Sequence, residues 1–328
     1  MKAVVTGATG FLGGALARRL HGMGWDVTAA GRNKFALAGL HAQNIQTVQA
    51  DLADGEAVMR FCKNQEFVFH CGAFSSPWGR PADFYTANVL GTENVIRACL
   101  ENQVKRLVHV STPSIYFRYK PRLNVREDAE LPPPVNEYSR TKKLAEEKID
   151  AAFAEGLPVV TIRPRGIFGP CDTSLLPRLI HRLRSGRMRI IGDGENITDL
   201  TYVENVVDAL LLCAGSPAET LGKKYNITNG EPFHLWHMIE RVCGSLNLKF
   251  PTRKIPYSLA HDLAAMLEVV YRTLPGQPEP PLTRYSVFVI SQDATLDISA
   301  AKKELDYQPK ISMDEGFEKY ILWWKERN

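Results

Sequence analysis

A chain of 328 residues, 45% apolar and 23% charged, can bury one large core or two smaller ones and has the composition of a globular protein. Its net charge of +4 is too mild for the concentrated basic face that nucleic-acid binding needs. The six cysteines lack C-x-x-C or metal-ligand spacing and mostly fall in apolar runs such as "LLLCAG", which predicts buried reduced thiols and no metal site. "MKAVVTGATG" holds no signal-peptide stretch, and no run of about 18 apolar residues occurs, so a cytoplasmic protein without a spanning helix is expected.

Along the chain, "KAVVTG" reads as a strand and "FLGGALARRLHGM" as a helix with apolar residues at helical spacing. Between them stand Gly7, Gly10 and Gly13. Glycines at this spacing permit a tight turn, let backbone approach a pyrophosphate and let the helix pack close to the strand. "DVTAAG", "IQTVQA", "FVFHCG", "RLVHVS" and "VVTIRP" repeat the strand signal, with helical stretches between several of them. That alternation predicts an α/β fold: a Rossmann-type, doubly wound parallel sheet that binds its ligand at the carboxyl ends of the strands. A dinucleotide site selective for NAD usually has an acid after the second strand. Here there is none between Asp26 and Asp51, and Arg32 and Lys34 follow the strand instead. Their charge suits a ribose 2′-phosphate, so NADP is predicted, with NAD the alternative.

Two tyrosines precede a lysine by four residues. Tyr116 and Lys120 come straight off a strand and run into Pro121, so no helix is expected to align them. Tyr138 and Lys142 lie in "NEYSRTKKLAEEKI", a helical stretch that Asn136 can cap, and therefore share a face. A neighbouring ammonium favours phenolate and would draw the tyrosine pKa toward neutrality, making the pair suited to proton transfer.

After about residue 165 the rhythm loosens. A basic helix "LLPRLIHRLRSG", an apolar helix "YVENVVDALLLC" and a strand "KYNIT" come first, then helices near 234–246 and 256–273, the loop "PGQPEPP" and a final helix "MDEGFEKYILWWKERN". The expected division is a dinucleotide domain over 1–165, with elements returning at about 196–229, and a smaller discontinuous substrate-binding region over 166–195 and 230–328. In the basic helix, Arg178, Arg182, Arg184 and Arg187 are either a solvated face or a receptor for an acidic substrate or carrier. His234 and His237 have no third ligand for zinc, and His70 and His109 read as satisfied core residues. The helix "IPYSLAHDLAAMLEVVYRTL" is apolar except for a stripe of His261, Asp262, Glu268 and Arg272. It suits a lipophilic ligand, a packed core or dimer face, or, more remotely, a membrane surface.

The ordered set "TGATGFLG", "ADL", "HCGA", "NVLGTENV", "VSTPSIY", "YSRTK", "IRPRGIFGP" and "GDGENITDLTYVENVVDAL" resembles the extended short-chain dehydrogenase/reductase superfamily over essentially the whole chain. The resemblance implies that Gly7, Gly10 and Gly13, with Thr9, Phe11 and Leu12, form the dinucleotide loop, and that Asp51 and Leu52 border the adenine. It makes Tyr138 the acid/base, Lys142 its partner and holder of the nicotinamide ribose, and Thr112 the hydroxyl that orients the substrate oxygen. Departures separate the chain from sugar-nucleotide enzymes. Pro113 and Ser114 stand where 4,6-dehydratases carry Asp-Glu, and Thr198 stands where an arginine grips a diphosphate. "ENITDLTYVENVVDAL", "YNITNGEP" and "PPLTRYSV" are more similar to the 3β-hydroxysteroid dehydrogenase-like branch, which includes sterol dehydrogenases and reductases of 2-alkyl-3-ketoalkanoic acids. The expectation is an NADP(H)-dependent oxidoreductase of a lipophilic β-keto or β-hydroxy compound, forming a homodimer through helices beside the catalytic one. A sugar epimerase with tightly held NAD is a second reading. A non-catalytic NADP-sensing regulator is a third, which the retained Tyr138–Lys142 pair disfavours.

Overall fold

The computed structural model describes residues 1–327. Seven parallel strands form the main sheet: β1 (Lys2–Thr6), β2 (Asp26–Gly31), β3 (Gln46–Gln49), β4 (Phe67–His70), β5 (Arg106–Val110), β6 (Val159–Pro164) and β7 (Lys224–Ile227). Their spatial order is β7-β6-β5-β4-β1-β2-β3. The order therefore reverses between β1 and β4, which pair with Thr6 opposite His70, and the reversal opens a crevice at their carboxyl ends. The short β-branched and aromatic runs form strands because both sheet faces are covered. On one face, helices Phe11–Gly22 and Val203–Gly215 bury Leu16, Leu20, Val206 and Leu210 against β1, β5 and β6. On the other, helices Gly55–Cys62, Gly91–Glu101 and Glu137–Ala154 bury Phe61, Val95 and Ile149.

The less regular second half builds smaller sheets. A four-stranded one orders Phe233–His234, Ile197–Thr198, Ala294–Leu296 and Arg122–Val125. Two parallel pairs join Ile167–Phe168 to Thr201–Tyr202 and Ile190–Ile191 to Lys254–Ile255. Most of these strands are two residues long, too short to leave a period in the sequence. Helices Leu175–Arg184, Leu235–Ser245 and Met313–Lys325 share a core of Ile180, Trp236, Ile239, Phe317 and Tyr320. Phe317 stacks on Phe168 at 4.6 Å, which docks the last helix. No helix of the described residues is long and apolar enough to cross a membrane.

Two expectations of burial need correction. Cys171 is exposed, in a left-handed turn with φ +71°, although four of the other cysteines are fully buried. His109 is buried with neither ring nitrogen hydrogen-bonded. His70, by contrast, is satisfied by Thr6 and Thr92 at 2.8 and 3.0 Å.

Candidate active site

The crevice begins at the glycine loop. Gly7 has φ +67°, a conformation that favours glycine, and a methyl there would stand 2.6 Å from Gly72 Cα. A methyl on Gly13 would lie 2.4 Å from the Gly7 carbonyl oxygen, so only glycine lets the Phe11–Gly22 helix start this close to β1. Gly10 is the N-cap of that helix. No side chain caps it and its first turn carries no acid, which leaves its N–H groups for an anion. Loop and helix end together fit a dinucleotide pyrophosphate.

Around this loop the other expected cofactor residues gather. Thr9 packs against the end of β2, where a methyl on Gly31 would meet its Cγ2 at 2.6 Å. Phe11 and Leu12 open the helix, and Leu12 packs partly buried against the core. Arg32 extends exposed from the end of β2, with one guanidinium nitrogen 3.5 Å from the Asp51 carboxylate. Leu52 fills the space that Gly72 and Gly91 leave open, and Asn94 donates 2.8 Å to its carbonyl.

Across the crevice, β5 delivers Ser111 and Thr112, and the Glu137–Ala154 helix delivers Tyr138 and Lys142. That helix is fixed by a capping box: the Asn136 side chain accepts from the Ser139 N–H at 2.8 Å, and the Ser139 hydroxyl receives the Asn136 N–H. The Tyr138 phenol is grouped with the Ser75 and Thr112 hydroxyls, both of which favour its phenolate. Burial raises its pKa, against the opposing pull of those two hydroxyls. The expected lowering by Lys142 does not occur: desolvation of a phenolate dominates, and the net direction is upward.

Lys142 is only 1% exposed, and Nζ donates to the Val110 carbonyl at 2.8 Å. Burial pulls its pKa down to about 8, with Glu146 one turn on holding it up. Its charge in turn helps keep the two imidazoles beneath it neutral. His70 falls to about 3 and His109 well below its usual value, each chiefly through burial.

Thr112 is held in place as well as presented. Its hydroxyl caps a short 3₁₀ turn, Pro113–Tyr116, by accepting the Ser114 N–H at 3.1 Å, and it donates to Ser114 Oγ. Ser114 reaches Tyr285 Oη at 3.2 Å. Tyr285 stacks on Phe117 at 5.6 Å, and the Arg165 guanidinium lies over the Phe117 ring at 5.2 Å. Arg165 is buried, donates to Thr198 Oγ1 at 3.1 Å and to the Asp199 carbonyl, and has its pKa lowered by burial.

Sequence reasoning missed Ser75, Ser114, Tyr285 and Asn88. Asn88 is buried, accepts the Phe74 N–H at 2.7 Å and donates to Thr141 at 3.0 Å, which ties the Ser75 loop to the Glu137–Ala154 helix. Tyr285 lies 147 positions from Tyr138 in the chain, and nothing in "PPLTRYSV" signals that it meets β5. The Tyr116–Lys120 pair goes elsewhere. Tyr116 ends the 3₁₀ turn fully buried, donating to Asn226 at 3.0 Å and accepting from Arg163.

A cavity of about 130 Å³ opens beside this cluster, lined by Trp78, Phe84, Val135, Ala265, Val269 and Tyr285 among others. The four arginines Arg178, Arg182, Arg184 and Arg187 are not among the residues that line it.

Residues 3–228 match the model of the NAD dependent epimerase/dehydratase family. The chain is 35% identical to the 2-alkyl-3-oxoalkanoate reductase of Stenotrophomonas maltophilia (strain K279a), over 96% of its own length and 97% of the relative's. It is 34% identical to the decarboxylating sterol-4-alpha-carboxylate 3-dehydrogenase of Mus musculus, over 98% and 90%. Among solved structures, a double mutant of the dTDP-glucose 4,6-dehydratase from Streptomyces venezuelae superposes with a TM-score of 0.79 over 100% of this chain and 98% of that one. At 22% identity that likeness is one of fold. The chain belongs to the NAD-dependent epimerase/dehydratase family and is an NAD(P)-dependent oxidoreductase of the extended short-chain dehydrogenase/reductase type.

Proposed function

We propose that the protein interconverts a ketone and a secondary alcohol on a lipophilic β-keto or β-hydroxy substrate, of the 2-alkyl-3-keto-acid or sterol-like kind, with NADP(H). The observation that carries this reading is the cluster of Tyr138, Thr112 and Ser75 with Lys142 one turn away, beside a cavity that joins apolar walls (Trp78, Phe84, Val135, Val269) to the charged Glu268, Arg272 and Arg284. The relatives named for 2-alkyl-3-oxoalkanoate reduction and sterol oxidation support the substrate class.

In the reductive direction, the Thr112 and Ser75 hydroxyls orient the substrate carbonyl oxygen toward Tyr138. The phenol then gives that oxygen its proton. A raised phenol pKa keeps the proton on Tyr138 until charge develops on the substrate, which is the protonation state a general acid needs. Bound NADPH supplies the hydride. Lys142 keeps donors beyond the one spent on Val110, and these would hold the nicotinamide ribose. Arg32 would meet the 2′-phosphate, in place of its long contact with Asp51. We also assign a homodimer to the helices flanking this site, where Tyr85 and Leu90 leave apolar surface exposed.

The test is oxidation of NADPH, with NADH in parallel, over a panel of 3-keto acids, 2-alkyl-3-keto acids and 3-ketosteroids. Tyr138→Phe should lower turnover about a thousandfold while NADPH still quenches protein fluorescence at the same concentration. Wild-type turnover by that variant would sink the assignment. Arg32→Asp should lower the NADPH/NADH preference about tenfold. No turnover on any substrate, with nucleotide carried stoichiometrically through purification, would move the reading to the epimerase.

A further inference from the structure

The Tyr257–Thr273 helix is turned inside out. Its polar stripe faces the protein: Glu268 bonds Arg284 at 2.8 Å, Arg272 lies over the Trp78 ring at 4.6 Å, and His261 packs against Tyr119 and Tyr257. Only Ala260 and Ala264 of this helix are fully buried. The large apolar residues point the other way. Leu259, Leu263, Met266, Val269, Val270 and Leu274 are between 39% and 68% exposed, and they account for six of the fourteen exposed large hydrophobic side chains of the described residues. A contiguous exposed face of this kind marks an interaction surface.

The charge around the helix indicates what it meets. Residues 173–192 contain five arginines and no acid, and residues 246–261 contain Lys249, Arg253 and Lys254 and no acid. The two segments are joined by the parallel pairing of Ile190–Ile191 with Lys254–Ile255, immediately before the helix begins. At the other end, Arg178 and Arg182 contact Glu279 and the Pro281 carbonyl in the loop that follows the helix. The helix therefore has cations near both of its ends, with Arg178 at the second end paired to Glu279 and Arg182 free of a carboxylate among the described residues. Of its own acids, Glu268 is engaged by Arg284, and Asp262 is exposed, one carboxylate against the eight arginines and lysines of the two segments.

We propose that this face docks on the surface of an anionic lipid bilayer, with the helix lying in the interface. Apolar side chains would enter the headgroup and acyl boundary while the flanking arginines and lysines meet phosphates. Val269 belongs both to the exposed face and to the lining of the cavity beside Tyr138. Docking would thus set the mouth of the cavity against the bilayer, from which a lipophilic substrate could enter. That route rests on the function proposed above; the docking surface does not.

The experiment is sedimentation of the full-length protein with vesicles of phosphatidylglycerol or of phosphatidylcholine, at low and high salt. Binding to phosphatidylglycerol, weakened by salt and by the neutral lipid, is expected. No binding to phosphatidylglycerol, or binding indifferent to lipid charge, overturns the proposal. The double variant Leu263→Glu/Met266→Glu should bind at least about tenfold more weakly, since two apolar side chains no longer enter the lipid. Its thermal midpoint should be unchanged, because neither residue is buried. Binding equal to wild type overturns the proposal. So does a wild-type dimer that these substitutions dissociate, which would make the face a contact between copies. None of these readouts needs the enzyme to turn over, so failure of the proposed chemistry is seen separately.

Discussion

Two helices of this protein break the same rule in opposite ways. Glu137–Ala154 turns polar residues inward: Ser139, Thr141, Lys142 and Glu146 are all buried. Tyr257–Thr273 turns apolar residues outward. A surface helix ordinarily does neither, since burying the apolar stripe is what holds it to its domain. In the first helix every inward polar group has a partner. Lys142 meets Val110, Thr141 meets the Glu137 carbonyl and Asn88, and Glu146 meets Arg163 in a two-bonded pair of 2.9 and 2.5 Å whose side chains are 3% and 4% exposed. The second helix is anchored at its edges by Glu268, Arg272 and His261, with little core behind it. On the proposals made above, the inward polar residues serve the chemistry and the outward apolar ones serve contact with a bilayer. The two are linked, because both helices line the same cavity, through Asn136 and Glu137 on one side and Ala265 and Val269 on the other.

The comparison can be broken by removing one carboxylate from each helix. Glu146→Gln leaves Arg163 buried without its carboxylate and should cost about 3–5 kcal/mol in a urea unfolding curve. Glu268→Gln breaks a pair that keeps solvent on the Arg284 side and should cost at most about 1 kcal/mol. Equal losses would mean that the second helix is as firmly built in as the first.

Lys142 gives a smaller effect with a defined pH dependence. Its folded pKa of about 8 lies below the usual 10.5, so between those values the unfolded chain binds a proton that the folded chain lacks. Stability from this group is fully present above 10.5 and is lost as pH falls through 8. The wild type should therefore gain about 3 kcal/mol relative to Lys142→Met as pH rises through that window. A stability difference independent of pH would show that Lys142 is not desolvated as its burial implies. The smallest effect belongs to Leu263→Glu, which should change stability by no more than about 0.5 kcal/mol. A packed leucine there would instead cost 2 kcal/mol or more, on the order of a core truncation.

Particular residues show how far the sequence could be read. The strand runs and the glycine loop were legible because they are local. Gly7 needs its positive φ whatever lies around it, and "FVFH" or "RLVHV" must be covered on both faces. The capping of the Glu137–Ala154 helix by Asn136 was equally local. The Tyr257–Thr273 helix was legible as amphipathic, with all three of its occupants left open. Periodicity gives the width of an apolar stripe and not the direction it points. Orientation came from contacts far away in sequence, such as Trp78 with Arg272 and with the Gln277 carbonyl. Tyr138 and Lys142 could be paired from their spacing. That Tyr138 meets Ser75 could not, because the loop carrying Ser75 is set by Asn88, buried under Thr141.

The sequence alone determined the parallel α/β architecture, the place of the glycine loop and the shared helical face of Tyr138 and Lys142. Each of these follows from backbone preferences and periods within a few dozen residues. Tertiary structure decided the sheet reversal that makes the crevice, the meeting of Thr112, Ser114 and Tyr285, the desolvation of Lys142 and the outward turn of the Tyr257–Thr273 helix. Those depend on which segments, some more than half the chain apart, exclude water from one another, and no local pattern records that.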